Sequence, residues 1–390
     1  MEETKIEWQK IWAIVAVQGT FTLTWVIYSL YLPDLLVQLG FSRSLAGIIL
    51  IIENALEAII EPISGSLSDR SFKNIGTREP LIKFGIILSS ALFLILPLIG
   101  WFVSGNSFWR WILPILAVLW ASAMALFRSP VMALLRLATP EAKLPIAASC
   151  ITLVQQSIGA FRFTAYNAIV AVGPLFSFAI GTFVLLGTAT FLRRVIPAVA
   201  PETKLTTLPN IPIRIVVNII GSGIAIGFGL RFIFASLAGV LGIYGGDVGW
   251  GMLGFNLLVA GFAVPAGWLA YRFGNIKIVL LGLISTAILL KFISSIASIG
   301  FFIIATMIMS FTLSIVLNGM IPFVLESVST TRAGLGVGLY FGAFGGGISF
   351  FDLFFKSIEE PGSIANLGAI ALIIACLFVA SSSIETKKID

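Results

Sequence analysis

Apolar stretches long enough to cross a bilayer follow one another along nearly the whole chain, separated by short polar connections. A helix needs about 20 apolar residues to span the hydrocarbon, and helices and closed barrels alone satisfy their backbone hydrogen bonds there. That length predicts spans near 11–37, 44–67, 81–103, 111–134, 145–166, 168–191, 214–240, 248–271, 276–297, 299–323, 333–356 and 364–382. The expectation is an all-α integral membrane protein with twelve transmembrane helices. Composition closes the alternative. Charged residues make up 11% of the chain, against roughly 25% in soluble domains. So few charges cannot cover a water-facing surface. One giant soluble core is disfavoured by surface-to-volume scaling at this length.

Loop charges set the expected orientation. If the N-terminus is cytoplasmic, 17 of the 24 Lys and Arg fall in cytoplasmic segments, and only Arg43, Arg110 and Lys356 fall opposite. The positive-inside rule then places both termini in the cytoplasm. The opening MEETKIEWQK lacks the basic region and cleavage site of a signal peptide, so the first span is expected to be retained. Residues 192–213 carry four Pro and are expected to be a cytoplasmic linker between a six-helix half at 1–191 and another at 214–390. The net charge of +6 is read through this topology, not as a nucleic-acid surface.

Several chemistries are disfavoured. The chain has no His and only Cys150 and Cys376, which offers no metal-ligand spacing and no disulfide framework. The glycine string around Gly338, Gly342 and Gly346 has no preceding strand and no following Lys, so it is a helix-packing stripe and not a phosphate loop. An enzyme is the least expected reading. No cofactor and no metal are expected.

The loop after the second stretch reads Gly65-Ser-Leu-Ser-Asp69-Arg70. A related GWLAYRFGNIK begins at Gly267, at the matching place in the second half. Such parallel repeats of six helices are expected of a transporter built from two halves. The first copy resembles the loop signature of the major facilitator superfamily. The resemblance implies that Gly65 permits close helix approach and that Asp69 meets a helix N-terminus across the two halves, a conformational latch of Gly65, Asp69 and Arg70. Tyr271 stands where the first copy has Asp69, so the latch is expected on one side only. Leu32-Pro33 through Leu39-Gly40, Glu61-Pro62-Ile63-Ser64-Gly65, and Arg128-Ser129-Pro130 with Thr139-Pro140 resemble the sucrose-proton symporters. Glu57 and Glu61 resemble the paired cation-binding acids of the melibiose-type symporters. Together these imply the glycoside-cation symporter group.

The second stretch is informative without the resemblance. Glu53, Glu57 and Glu61 are four residues apart. Each step of four drifts about 40° around a helix, so all three share one stripe. An ionisable side chain at mid-bilayer costs about 2.5–3.5 kcal/mol, so the stripe must face protein or a water-filled cavity. Arg128, deep in the fourth stretch, keeps its charge and needs an anion, either one of these acids or a substrate group. The four are candidates for proton or cation coupling; a static ion-pair network is the structural alternative. Gln155, Gln156 and Arg162 are substrate candidates, since amides both donate to and accept from hydroxyls; bonding between helices is the alternative. Gln18, Trp25 and Tyr28 in the first stretch, and Asn256 and Asn318 in the second half, complete the substrate-binding candidates.

The expected function is proton-coupled symport of a sugar or other small polar solute, with sodium as the alternative coupling ion. A non-transporting assembly or pigment-handling protein on the same fold is the second reading, and a drug or metabolite exporter the third. The expected partners are a small-molecule substrate and the lipid bilayer, with no nucleic acid. The expected state is a monomer in a bacterial inner membrane.

Overall fold

A computed structural model describes residues 6–103, 108–196, 208–296, 298–358 and 360–389. The long helices are α1 (Trp8–Gln38), α2 (Leu45–Ile75), α3 (Glu79–Ile95), α4 (Ile112–Ala133), α5 (Leu144–Ala160), α6 (Pro174–Val195), α7 (Ile213–Ile243), α8 (Val248–Gly261), α9 (Ala263–Phe273), α10 (Asn275–Ile293), α11 (Ile299–Ser327), α12 (Ala333–Phe354) and α13 (Pro361–Ile389). Among the described residues, eleven helical runs are long and apolar enough to cross a membrane, with α8 and α9 counted as one run. The sequence predicts twelve. α2 is as long as α1, but Glu53, Glu57 and Glu61 set it apart by composition.

Two other expectations change. The boundary placed at residues 166–168 lies inside a short helix, Tyr166–Val172, which stops at Gly173 with φ 86°. Pro174 then opens α6, because its fixed φ suits the first helical turn, where an N–H is not needed. Half of the expected linker, residues 197–207, lies outside the described residues. α8 and α9 are one span broken at Phe262, three residues before Pro265, which cannot donate to the carbonyl four residues back.

Helices cluster on either side of residues 197–207: α1 against α5 and α6, α3 against α4 and α6, and then α7 against α12 and α13, and α10 against α11 and α13. Two seams join the helices before residue 197 to those after residue 207. One pairs α5 with α8, α9 and α11; the other pairs α2 with α12. The second seam is a backbone-to-backbone contact. A Cβ at Gly338 would overlap the Glu61 carbonyl, and at Gly342 and Gly345 it would come within 3.0 Å of the Ala58 and Asn54 carbonyls. The packing stripe therefore continues through Gly345, while a Cβ at Gly346 would make only ordinary contact, 3.7 Å from Ala58. Further along, Ser349 Oγ donates to the Ile51 carbonyl at 3.0 Å. Gly338→Val is expected to cost about 1–3 kcal/mol by overpacking, seen as a lowered melting temperature in detergent. An unchanged melting temperature would mean the two helices are not held this close.

Candidate functional site

The acid stripe of α2 faces inward over its whole length: Glu53, Glu57 and Glu61 are 1%, 6% and 0% exposed. Tyr28 Oη of α1 donates to Glu53 Oε1. Arg128 of α4 places its Nη1 3.5 Å from Glu57 Oε2 and 3.9 Å from Glu61 Oε1. One guanidinium thus serves two carboxyls, both at long range. Among the described residues, no group hydrogen-bonds either carboxyl oxygen of Glu61. The guanidinium lies between two rings, 4.9 Å from the centroid of Phe21 on α1 and 3.9 Å from that of Phe341 on α12. Such cation–π contacts gain strength when desolvated. The backbone around the acids is locked as well: Ser129 Oγ of α4 donates to the Glu61 carbonyl at 3.2 Å and lies 3.0 Å from Ser64 Oγ.

Two further candidates join this set. Gln18 is fully buried and donates to the Arg128 carbonyl at 3.3 Å. Gln155 donates to Gln18 Oε1 at 3.4 Å. Gln156 is half-buried on the same helix and has no hydrogen bond to these groups among those described. Trp25 is half-buried in an aromatic column, 5.0 Å from Trp120 and 5.7 Å from Tyr28 between ring centroids. Tyr28 in turn packs on Trp120 at 4.4 Å.

Other candidates go elsewhere. Asn318 of α11 donates to the Ala263 carbonyl at 2.6 Å, and Ser314 donates to the Val259 carbonyl at 2.9 Å. Both act at the α8–α9 break, where interrupted helical pairing leaves carbonyls needing donors. Asn256 donates within its own helix, to the Met252 carbonyl at 2.8 Å. Their donors are committed to backbone, and no hydrogen bond among those described joins them to the acids. Arg162 lies in the last turn of the span Glu141–Phe163. α5 ends at Ala160, and Arg162 stands exposed in the turn Phe161–Phe163. Its electrostatic neighbours are Arg231 of α7 and Asp352 of α12, which are themselves paired.

At the other end of the α2–α12 seam, Asp69 is fully buried. Its two carboxylate oxygens accept from the backbone N–H of Gly334, at 2.9 Å, and of Leu335, at 2.8 Å. These are free donors in the first turn of α12, where the helix dipole also favours an anion. Gly65 and Gly334 let the backbones meet, since a Cβ on either would overlap the other's carbonyl. The arginine in this contact is not the expected one. Arg70 points outward and is exposed. Arg78, 1% exposed, donates to Asp69 Oδ1, to Ser68 Oγ at 3.0 Å and to the Thr330 carbonyl at 3.1 Å. On a helix a neighbour in sequence points about 100° away, so Arg70 cannot follow Asp69 inward. Arg78, just past the turn, can. The sequence carries no local sign of this role, nor of Phe341 beside Arg128.

A family profile described as MFS/sugar transport protein matches residues 12–192. Three solved structures share the fold over almost the whole chain. A bacterial homologue of the iron transporter ferroportin, outward-facing, superposes with TM-score 0.74 at 16% identity, covering 97% of this chain and 99% of its own. FucP, a major facilitator superfamily transporter in the outward conformation, gives 0.72 at 12% identity, covering 95% and 98%. The proton:xylose symporter XylE gives 0.67 at 13% identity, covering 96% of each chain. The chain has the fold of these transporters. No curated protein matches it by sequence. At these identities the structural likeness speaks for the fold alone, that of multi-pass transporters. The profile covers the helices that carry the acid stripe and Arg128.

Proposed function

We propose that the chain is a secondary active transporter that couples uptake of a sugar or other small polar solute to a proton, by alternating access. In this reading α2 is the twelfth span. Residues 1–191 and 214–390 form two six-helix halves, and both termini are cytoplasmic in a bacterial plasma membrane. The chain acts as a monomer and needs no cofactor.

One observation carries the reading: three buried carboxyls line one stripe of α2, and the single arginine beside them, Arg128, reaches two, Glu57 and Glu61. One guanidinium balances one carboxylate. In a low-dielectric interior the remaining charge must be neutralised, and a bound proton does so without a dedicated coordination shell. The proton is therefore the simpler coupling ion, with sodium as the alternative. The sugar-transport profile over residues 12–192 and the coupling of XylE to protons and xylose point the same way.

The mechanism follows from where Arg128 sits. When Glu57 and Glu61 are ionised, they hold the guanidinium on the α2 side. Protonation releases it toward Phe341 and the substrate cavity, where Gln18 and Gln155 offer amide groups to hydroxyls. A proton shifts the conformational equilibrium only if it binds one state better, and an arginine placed between α2 and α12 supplies that difference.

The test is uptake of a panel of labelled sugars into proteoliposomes under an imposed pH gradient. Wild-type uptake is expected to follow the gradient and to collapse with a protonophore. Glu57→Gln is expected to lose gradient-driven accumulation. Wild-type uptake that ignores the pH gradient, or that follows sodium instead, overturns proton coupling.

A further inference from the structure

Outside the acid cluster, the clearest unassigned cavity is a cleft between α3, the end of α4 and the last turns of α6. It holds about 210 Å³ and is lined by Ile82, Ile86, Ile87, Leu186 and Leu192, with Lys83, Glu79 and Arg193 among its polar lining. Its walls continue into exposed apolar surface: Phe84, Ile87, Phe183 and Phe191 are 57%, 51%, 72% and 39% exposed. The cleft therefore opens sideways toward hydrocarbon.

Shape and charge narrow the occupant. One helical turn with its side chains fills roughly 400 Å³, from a diameter near 10 Å and a pitch of 5.4 Å. The cleft cannot take a helix from another protein, but it can take a flexible chain. At its polar end Arg193 bonds Glu79 at 2.7 Å and leaves most of its guanidinium in the open, 64% exposed. Lys83 is exposed and has no ion-pair partner among the described residues. Two cations against one acid leave a net positive end on an apolar slot. Basic pockets between spanning helices on the cytoplasmic side suit anionic head groups. This pocket lies at the end where the loop charges place the cytoplasm.

We propose that this cleft binds an anionic glycerophospholipid, with one acyl chain between α3 and α6 and the phosphate at Lys83 and Arg193. The site is independent of the transported solute. Its placement in the inner leaflet rests on the orientation proposed above.

The test is native mass spectrometry of the purified full-length chain with added phosphatidylglycerol or phosphatidylethanolamine. Wild type is expected to retain phosphatidylglycerol preferentially. The double variant Lys83→Gln, Arg193→Gln should lose about 30-fold in retention, from two basic contacts near a lipid surface at about 1 kcal/mol each. Ala189→Phe, which fills the cleft without changing charge, should lose both lipids. Millimolar inorganic phosphate should not compete. Equal retention of the two lipids by wild type overturns the proposal, as does unchanged retention in both variants or full displacement by phosphate. Each variant's size-exclusion profile confirms that it is folded. A transport assay with no pH dependence would sink the function proposed above and leave this result standing.

Discussion

Arg128→Gln is expected to lower proton-driven uptake by on the order of 100-fold or more. Removing one partner of a buried charge pair costs about 3–5 kcal/mol, and each 1.4 kcal/mol is a factor of ten. Here Glu57 and Glu61 share the lost guanidinium, so its loss strands both. The variant should carry a permanently protonated cluster and behave as a leak for solute, or be locked in one conformation. Arg128→Lys retains charge but not the planar contact with Phe21 and Phe341, and should recover only part of the activity. The double variant Arg128→Gln, Glu57→Gln removes part of the stranded charge. It should regain thermal stability relative to the single variant but not gradient-driven accumulation. Uptake unchanged in Arg128→Gln would sink the coupling role.

The second large effect belongs to Asp69. Asp69→Asn keeps the shape but removes the charge that Arg78 and the first turn of α12 share. Arg78, 1% exposed, would be left without a counterion. Breaking such a pair costs about 3–5 kcal/mol, enough to shift a two-state equilibrium by roughly two to three powers of ten. The seam between Gly65 and Gly334 should then open. A cysteine pair placed on the exposed ends of α2 and α12 would report this by double electron–electron resonance as a lengthened distance. It would also appear as faster alkylation from the cytoplasmic side of oriented vesicles. Asp69→Asn together with Arg78→Gln, which removes both charges, should restore part of the closed population. A distance distribution identical to wild type would show that Asp69 is structural filler and no latch.

Much of this was legible in the residues. The four-residue spacing of Glu53, Glu57 and Glu61 determines that they share a stripe, because the helix has one period. The cost of charge in a bilayer then determines that the stripe faces inward. The segment from Gly65 to Asp69, expected as a loop and folded into the last turns of α2, announces a close approach. What the spacing leaves open is which cation answers which anion. Arg78 and not Arg70 reaches Asp69, because the turn after α2 brings it back over the buried face. Asn318 looked like a substrate ligand as a lone polar residue in an apolar run. Its meaning lies on another helix, at a carbonyl beside the break near Pro265.

The sequence by itself determined a helical membrane protein with an acidic stripe and a buried arginine, since backbone satisfaction and charge burial are local costs. Only the tertiary structure decided that Arg128 stands between α2 and Phe341 of α12, that Asp69 caps that same helix, and that a cleft with basic residues at one end forms between α3 and α6. Those are pairings between residues far apart in the chain, and no periodicity within a single helix encodes them.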